Sequence, residues 1–144
     1  MKRLALLALL VPALSGCVND GIAMVIDGPD HAISLMRAQP RFWDKRMDLE
    51  IVVARLPTCQ RRYALQPAPV SSDFKVTVYT TAPNTFLLEQ GRHLYLTETE
   101  TCKGFQKLDV PPPEGKGELL GVFREERGRL AFVAAQPAAP TAKP

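Results

Sequence analysis

The chain has 144 residues, 46% of them apolar and 23% charged, with 18 lysines and arginines against 15 acids. That length suits one ordinary domain rather than two, and the composition excludes a disordered polymer, a collagen and a multi-span membrane protein. A formal charge of +3 is too small to point to nucleic acid.

The first 17 residues read MKRLALLALLVPALSGC. Lys2 and Arg3 give a positive start, and Leu4 to Leu14 is an apolar run of 11 residues. A membrane-spanning helix needs about 20 apolar residues, so the run reads as the core of a secretory signal. Leu14-Ser15-Gly16-Cys17 resembles the lipobox of bacterial lipoproteins, a Leu-Ser/Ala-Gly/Ala-Cys pattern at the end of such a signal. The resemblance is confined to this N-terminal segment. It implies diacylation of the Cys17 thiol, cleavage before it, and acylation of the new amine. Two or three acyl chains anchor a protein almost permanently, at about 0.8 kcal/mol per buried methylene. In Gram-negative lipoproteins an Asp after the cysteine signals retention at the inner membrane. Val18 therefore implies a protein anchored in the outer membrane and facing the periplasm. On this reading residues 1–16 are signal, 17–21 a lipidated tether, 22–135 a single domain and 136–144 a Pro/Ala tail.

Cleavage leaves 16 basic against 15 acidic side chains. With Cys17 acylated, Cys59 and Cys102 remain, and a disulfide between them is expected in an oxidising compartment. No C-x-x-C occurs, and His31 and His93 lie at no zinc-site spacing, so neither metal nor other cofactor is expected.

The mature chain alternates in the manner of strands. Ile22 to Ile26 and His31 to Arg37 flank Asp27-Gly28-Pro29-Asp30 as a first hairpin, although one helix around Ile33 to Arg37 is a weaker alternative. Met47 to Leu56 carries Leu49, Ile51 and Val53 on one face. Pro57 to Gln60 reads as a turn, Arg61 to Leu65 as a strand and Gln66 to Asp73 as a loop. Phe74 to Thr81 is the cleanest strand, with Phe74, Val76 and Val78 inward. Thr85 to Leu88 pairs with His93 to Glu98 in a second hairpin. Phe105 to Val110 reads as a short edge strand, and Pro111 to Gly115 as a stiff extended spacer. Leu119 to Phe123 and Leu130 to Ala134 form the last hairpin, and Gln136 to Pro144 is expected to be disordered. The fold class is mainly β, an antiparallel sandwich or small barrel of about seven or eight strands built from hairpins.

Motifs for chemistry are scarce. There is no G-x-S-x-G, Walker loop, H-E-x-x-H or EF-hand loop. Glu98 and Glu100 are the remaining acid pair. On one strand face they would stand roughly 6–7 Å apart, a separation glycosidases use. The favoured reading of these glutamates is a solvated strand end beside Thr97, Thr99 and Thr101, and His31 and His93 are expected at the surface. Arg37 to Arg62 holds seven basic and three acidic residues, with Phe42 and Trp43 among them. Arg41, Phe42, Trp43, Arg61 and Arg62 are the candidate partner-binding residues, because arginine beside exposed aromatics grips anionic glycans, lipid headgroups or acidic proteins. The plainer alternative places Trp43 in the core and the arginines along a solvated edge that blocks sheet-to-sheet pairing.

The expected function is a non-catalytic envelope lipoprotein with a binding or accessory role. Its partners would be the membrane through its acyl chains and an envelope protein, peptidoglycan or anionic lipid, with no nucleic acid. Alternatives are a glycan-active enzyme using Glu98 and Glu100, or a hydrolase inhibitor. The build is similar to that of small β lipoproteins that inhibit lysozyme, at the level of architecture alone.

Overall fold

The computed structural model describes residues 18–71 and 73–137. The signal segment, Cys17 and the end of the C-terminal tail lie outside the described residues. Strands β1 (Asn19–Val25), β2 (His31–Ala38), β3 (Arg46–Arg55) and β4 (Cys59–Ala64) pair in that order, and the two-residue β5 (Ala68–Pro69) pairs with the start of β3. Strands β6 (Lys75–Ala82), β7 (Thr85–Gln90), β8 (His93–Glu98), β9 (Gln106–Leu108), β10 (Glu118–Glu126) and β11 (Arg129–Ala134) form the second sheet, ordered β11-β10-β6-β7-β8-β9. Every pairing is antiparallel, and the sheets stack as a sandwich rather than closing into a barrel.

The two-residue period of the sequence explains the core. Met47, Leu49, Ile51 and Val53 on β3, and Val76 and Val78 on β6, are each at most 1% exposed. The stretch Ile33 to Arg37 is strand, not helix. Ile33, Leu35 and Arg37 point inward while Ser34 and Met36 alternate with them, and β2 pairs on both sides, with β1 and β3. Three hairpins fall where turn chemistry places them. Arg127 and Gly128, both at positive φ (52° and 78°), make the two-residue turn between β10 and β11.

Two features differ from expectation. Residues expected in an N-terminal tether are already structured: β1 begins at Asn19, and Val18 packs against the core. The Pro-rich spacer is a strap. Because β9 and β10 lie on opposite sides of β6, β7 and β8, the connection between them crosses that sheet. Lys116 Nζ pairs with Glu89 on β7 at 2.6 Å and sits 5.8 Å from the Tyr79 ring on β6. Leu87, on the same outer face as Tyr79 and Leu96, is fully buried outside the main core. Gly117 makes the close approach possible: at φ 87°, a Cβ there would stand 2.1 Å from the Thr80 carbonyl oxygen.

The sandwich has two ends. At the proximal end β1 starts, β2 runs into β3, and the β7–β8 and β10–β11 turns lie. There Arg37, 2% exposed, donates to both carboxylate oxygens of Asp20, to Glu125 and to the Gly128 carbonyl at 3.1 Å. Asp20 also accepts from the Leu130 amide at 3.0 Å. At the distal end Cys59 and Cys102 form a disulfide that ties β4 to the β8–β9 connection and so joins the two sheets.

Arg37→Ala is expected to cost about 2–4 kcal/mol, because it empties a buried site and removes the charge-assisted hydrogen bonds of two part-buried carboxylates. Chemical denaturation at neutral pH reads this out; a loss under 1 kcal/mol would show that the cluster is dispensable. The Cys59→Ala/Cys102→Ala pair should lower stability by about 2–4 kcal/mol. Adding reductant to the native protein should lower its melting temperature to the same degree.

Candidate functional site

The residues singled out from sequence are not brought together. Arg41, Phe42 and Trp43 lie in the β2–β3 loop at the proximal end. Arg61 and Arg62 lie on β4 opposite Val53 and Val52, roughly 20 Å up β3 by strand rise. Both are exposed on an edge strand, where charge discourages pairing with another sheet. Arg62 pairs with Glu50 across the ladder at 3.2 Å. Arg37, counted with the same basic stretch, is internal.

The β2–β3 loop is the most distinctive surface feature. Phe42 and Trp43 are 65% and 62% exposed, so Trp43 is not a core residue. Their rings meet edge to face at 4.6 Å, and the Arg41 guanidinium lies 5.9 Å from the Trp43 ring centre. The loop is braced rather than loose. The Gln39 side-chain amide donates to the carbonyls of Phe42 (3.2 Å) and Asp44 (2.7 Å), and Asp44 N–H donates to Arg41 O at 3.0 Å. Gln39 also binds the start of the fold: its N–H donates to Val18 O at 2.7 Å, and Val18 N–H reaches its Oε1 at 3.4 Å. Val70 N–H donates to Lys45 O at 2.9 Å and closes the other side. The loop thus presents two aromatic rings outward on a scaffold shared with Val18.

Other basic side chains share this end. Arg92 sits in the β7–β8 turn, Arg127 in the β10–β11 turn, and Arg129 at the start of β11. Lys75 and Arg92 flank an open groove of about 640 Å³ between the Pro67–Pro69 segment and the β7–β8 turn. Buried Gln90 lines the groove, with its Nε2 donating to Gln66 O at 2.7 Å.

The distal end corrects two expectations. His31 is not a surface residue; it is 7% exposed, and its Nε2 lies 2.7 Å from Thr99 Oγ1. It faces inward because it falls in phase with Ile33 and Leu35. Burial, and then the charge of Arg55, hold its pKa below the usual value, with Asp27 opposing weakly. Glu98 and Glu100 do not share a strand face, because β8 ends at Glu98. The Glu98 carboxylate folds back as a staple for the following turn. It accepts from the amides of Glu100, Thr101, Lys103 and Gly104 and from the Thr101 hydroxyl, at 2.6–3.0 Å. Burial pushes its pKa up, but the Thr101 hydroxyl and these amides outweigh it and pull the pKa down to about 2. A carboxyl held ionised in this way is a poor proton donor near neutrality. Among the described residues no cluster of three His, Cys, Asp or Glu could hold a metal.

Sequence reasoning missed Gln39, and it missed that Arg37 and His31 are internal. Phase with Ile33 and Leu35 is the signal that places both.

These shifts set a pH profile. His31, lowered, is neutral in the fold, so its contribution is complete above about pH 6.5 and is lost as pH falls through its depressed folded value. Glu98 contributes above the ordinary carboxylate range, and that contribution is lost as pH falls toward about 2. Melting temperature should therefore fall on acidification, first through loss of the His31 contribution below about pH 6.5 and later through loss of the carboxylate contributions. His31→Gln should remove the upper loss and Glu98→Gln should reduce the lower, which Asp20, also held below its ordinary value, shares; a wild-type melting temperature flat from pH 7 to 4 would contradict the first assignment.

Compared with protein-family models, curated proteins and solved structures, the chain matches none, so its function has to be read from its own residues.

Proposed function

We propose that the chain is a non-catalytic cell-envelope lipoprotein with a binding or accessory role, anchored through acylated Cys17 at the periplasmic face of the outer membrane. The anchor rests on the lipobox resemblance of Leu14 to Cys17. The observation that carries the reading further is the junction with the fold. Val18 packs against the core and β1 starts at Asn19, so no flexible linker follows the cysteine. A domain attached through one residue, about 3.5 Å, is held at the bilayer surface and in a restricted orientation. Signal, anchor and clamped β domain then form one device that displays a fixed surface. An envelope protein, a peptidoglycan strand or an anionic lipid is the partner class. The disulfide supports an oxidising compartment.

Mass spectrometry of the N-terminal peptide from the cell-expressed protein should show residue 17 as the first residue carrying acyl chains. Cys17→Ser should move the protein from the membrane to the soluble fraction. An unmodified Cys17, or wild-type protein recovered wholly as soluble, would overturn the reading.

A further inference from the structure

We propose that the proximal end is a membrane-docking face: Phe42 and Trp43 enter the headgroup layer of the bilayer that holds Cys17, and the basic side chains around them bind anionic lipid phosphates. The anchor half of this statement rests on the reading above. The loop half stands on the geometry.

Position comes first. Val18 is hydrogen-bonded through Gln39 to the loop that carries Phe42 and Trp43. Acyl chains on the preceding residue would therefore attach one Cα–Cα step, about 3.8 Å, from a residue hydrogen-bonded to Gln39, which braces the loop. Nothing between anchor and loop is long enough to swing the loop away from the surface.

Chemistry comes second. Tryptophan concentrates at membrane interfaces because its ring has an apolar body and a polar N–H. Here it is paired with a phenylalanine on a loop braced by side-chain and backbone hydrogen bonds. The other large exposed apolar side chains, Val25, Leu56, Val110 and Leu119, are scattered singly, which is ordinary for a surface. Phe42 and Trp43 are adjacent and in contact.

Charge comes third. Arg41 and Lys45 lie in the same loop, and Lys75, Arg92, Arg127 and Arg129 lie in neighbouring segments of the same end. Of the acids there, Asp20 and Glu125 bind Arg37, and Glu126 binds Arg124 at 2.6 Å. Asp44, Asp48, Asp73 and Asp109 remain, against the six cations just named. The opposite end carries Asp27, Asp30, Glu98, Glu100 and Glu118 against Arg55, Arg61 and Lys103, an acidic excess. An anionic surface therefore attracts the end that bears the aromatic loop and repels the other.

The test uses the mature chain from residue 17 carrying Cys17→Ser, since residues 18–137 build the whole sandwich. Trp43 is the single tryptophan, so its emission reports the loop directly. Vesicles of phosphatidylglycerol with phosphatidylcholine are compared with phosphatidylcholine alone. The expected result is a blue shift of Trp43 emission, quenching by brominated acyl chains, and pelleting at least tenfold stronger on the anionic vesicles, reversed by high salt. Phe42→Ala/Trp43→Ala should abolish pelleting, and Arg41→Glu/Lys45→Glu should remove the anionic preference while the circular dichroism spectrum is unchanged. Unmoved Trp43 emission overturns the proposal, as does pelleting that survives loss of both rings. Because this protein lacks acyl chains, the outcome is independent of whether Cys17 is modified in cells; the N-terminal mass decides that separately.

Discussion

A guanidinium that is 2% exposed between two sheets sets the terms for the rest of this structure. Taking such an ion out of water costs several kcal/mol unless its donors are met. Arg37 meets them with the two oxygens of Asp20, with Glu125 and with the Gly128 carbonyl, over the face of Phe74 at 6.0 Å. Burial pushes the Asp20 pKa up, but the hydrogen bond from Arg37, the Leu130 amide and the Arg37 charge outweigh it, so the carboxylate stays ionised. These partners come from β1 and from the β10–β11 turn. The cluster therefore fastens the first strand, an edge of its sheet, to the opposite sheet. The proposed anchor on Cys17 would depend on that strand being held.

The distal end solves the same problem by other means. The Cys59–Cys102 disulfide crosses between the sheets, and the Tyr63 hydroxyl donates to the Cys102 carbonyl. Tyr63, Phe105 and Tyr95 stack in sequence, with ring centres 4.4 and 5.6 Å apart. His31 and Thr99 add a polar contact across the same gap. Among the described residues, both ends of the sandwich are clamped and a proline-rich strap crosses one outer face. Rigidity of this kind suits a module that presents a surface better than one that closes around a substrate.

Much of the fold was legible because antiparallel strands with one face buried write a period of two into the chain. β3, β6 and the hairpins follow from it directly. The helix alternative around Ile33 fails for the same reason, since the inward positions recur every second residue. What stayed hidden depends on contacts distant in sequence. The strap became visible only with the strand order, because Pro111 to Gly117 is a linker in one dimension and a lid over Leu87 in three. The basic stretch dispersed because consecutive antiparallel strands carry neighbouring residues to opposite ends, so a running charge sum says little about a patch. Glu98 and Glu100 were paired on the assumption that the strand continues; the Glu98 carboxylate instead ends it by gathering the amides that follow. The exposure of Trp43 was undecidable from sequence because the loop Gln39 to Lys45 obeys no period.

The proposed docking face also explains why so small a loop would suffice. Two aromatic rings and a handful of cations bind a bilayer weakly and reversibly on their own. If Cys17 carries the proposed acyl chains, the same contact would become intramolecular, with the effective concentration fixed by a linker of almost no length. On that proposal the acyl chains would supply affinity and the loop orientation. Seated that way, the long axis of the sandwich, about 30 Å along β3 by strand rise, stands away from the lipid. On that proposal the distal end would face the periplasm. A partner arriving from that side meets the disulfide-clamped end first, so the anchored end and the recognition surface need not be the same.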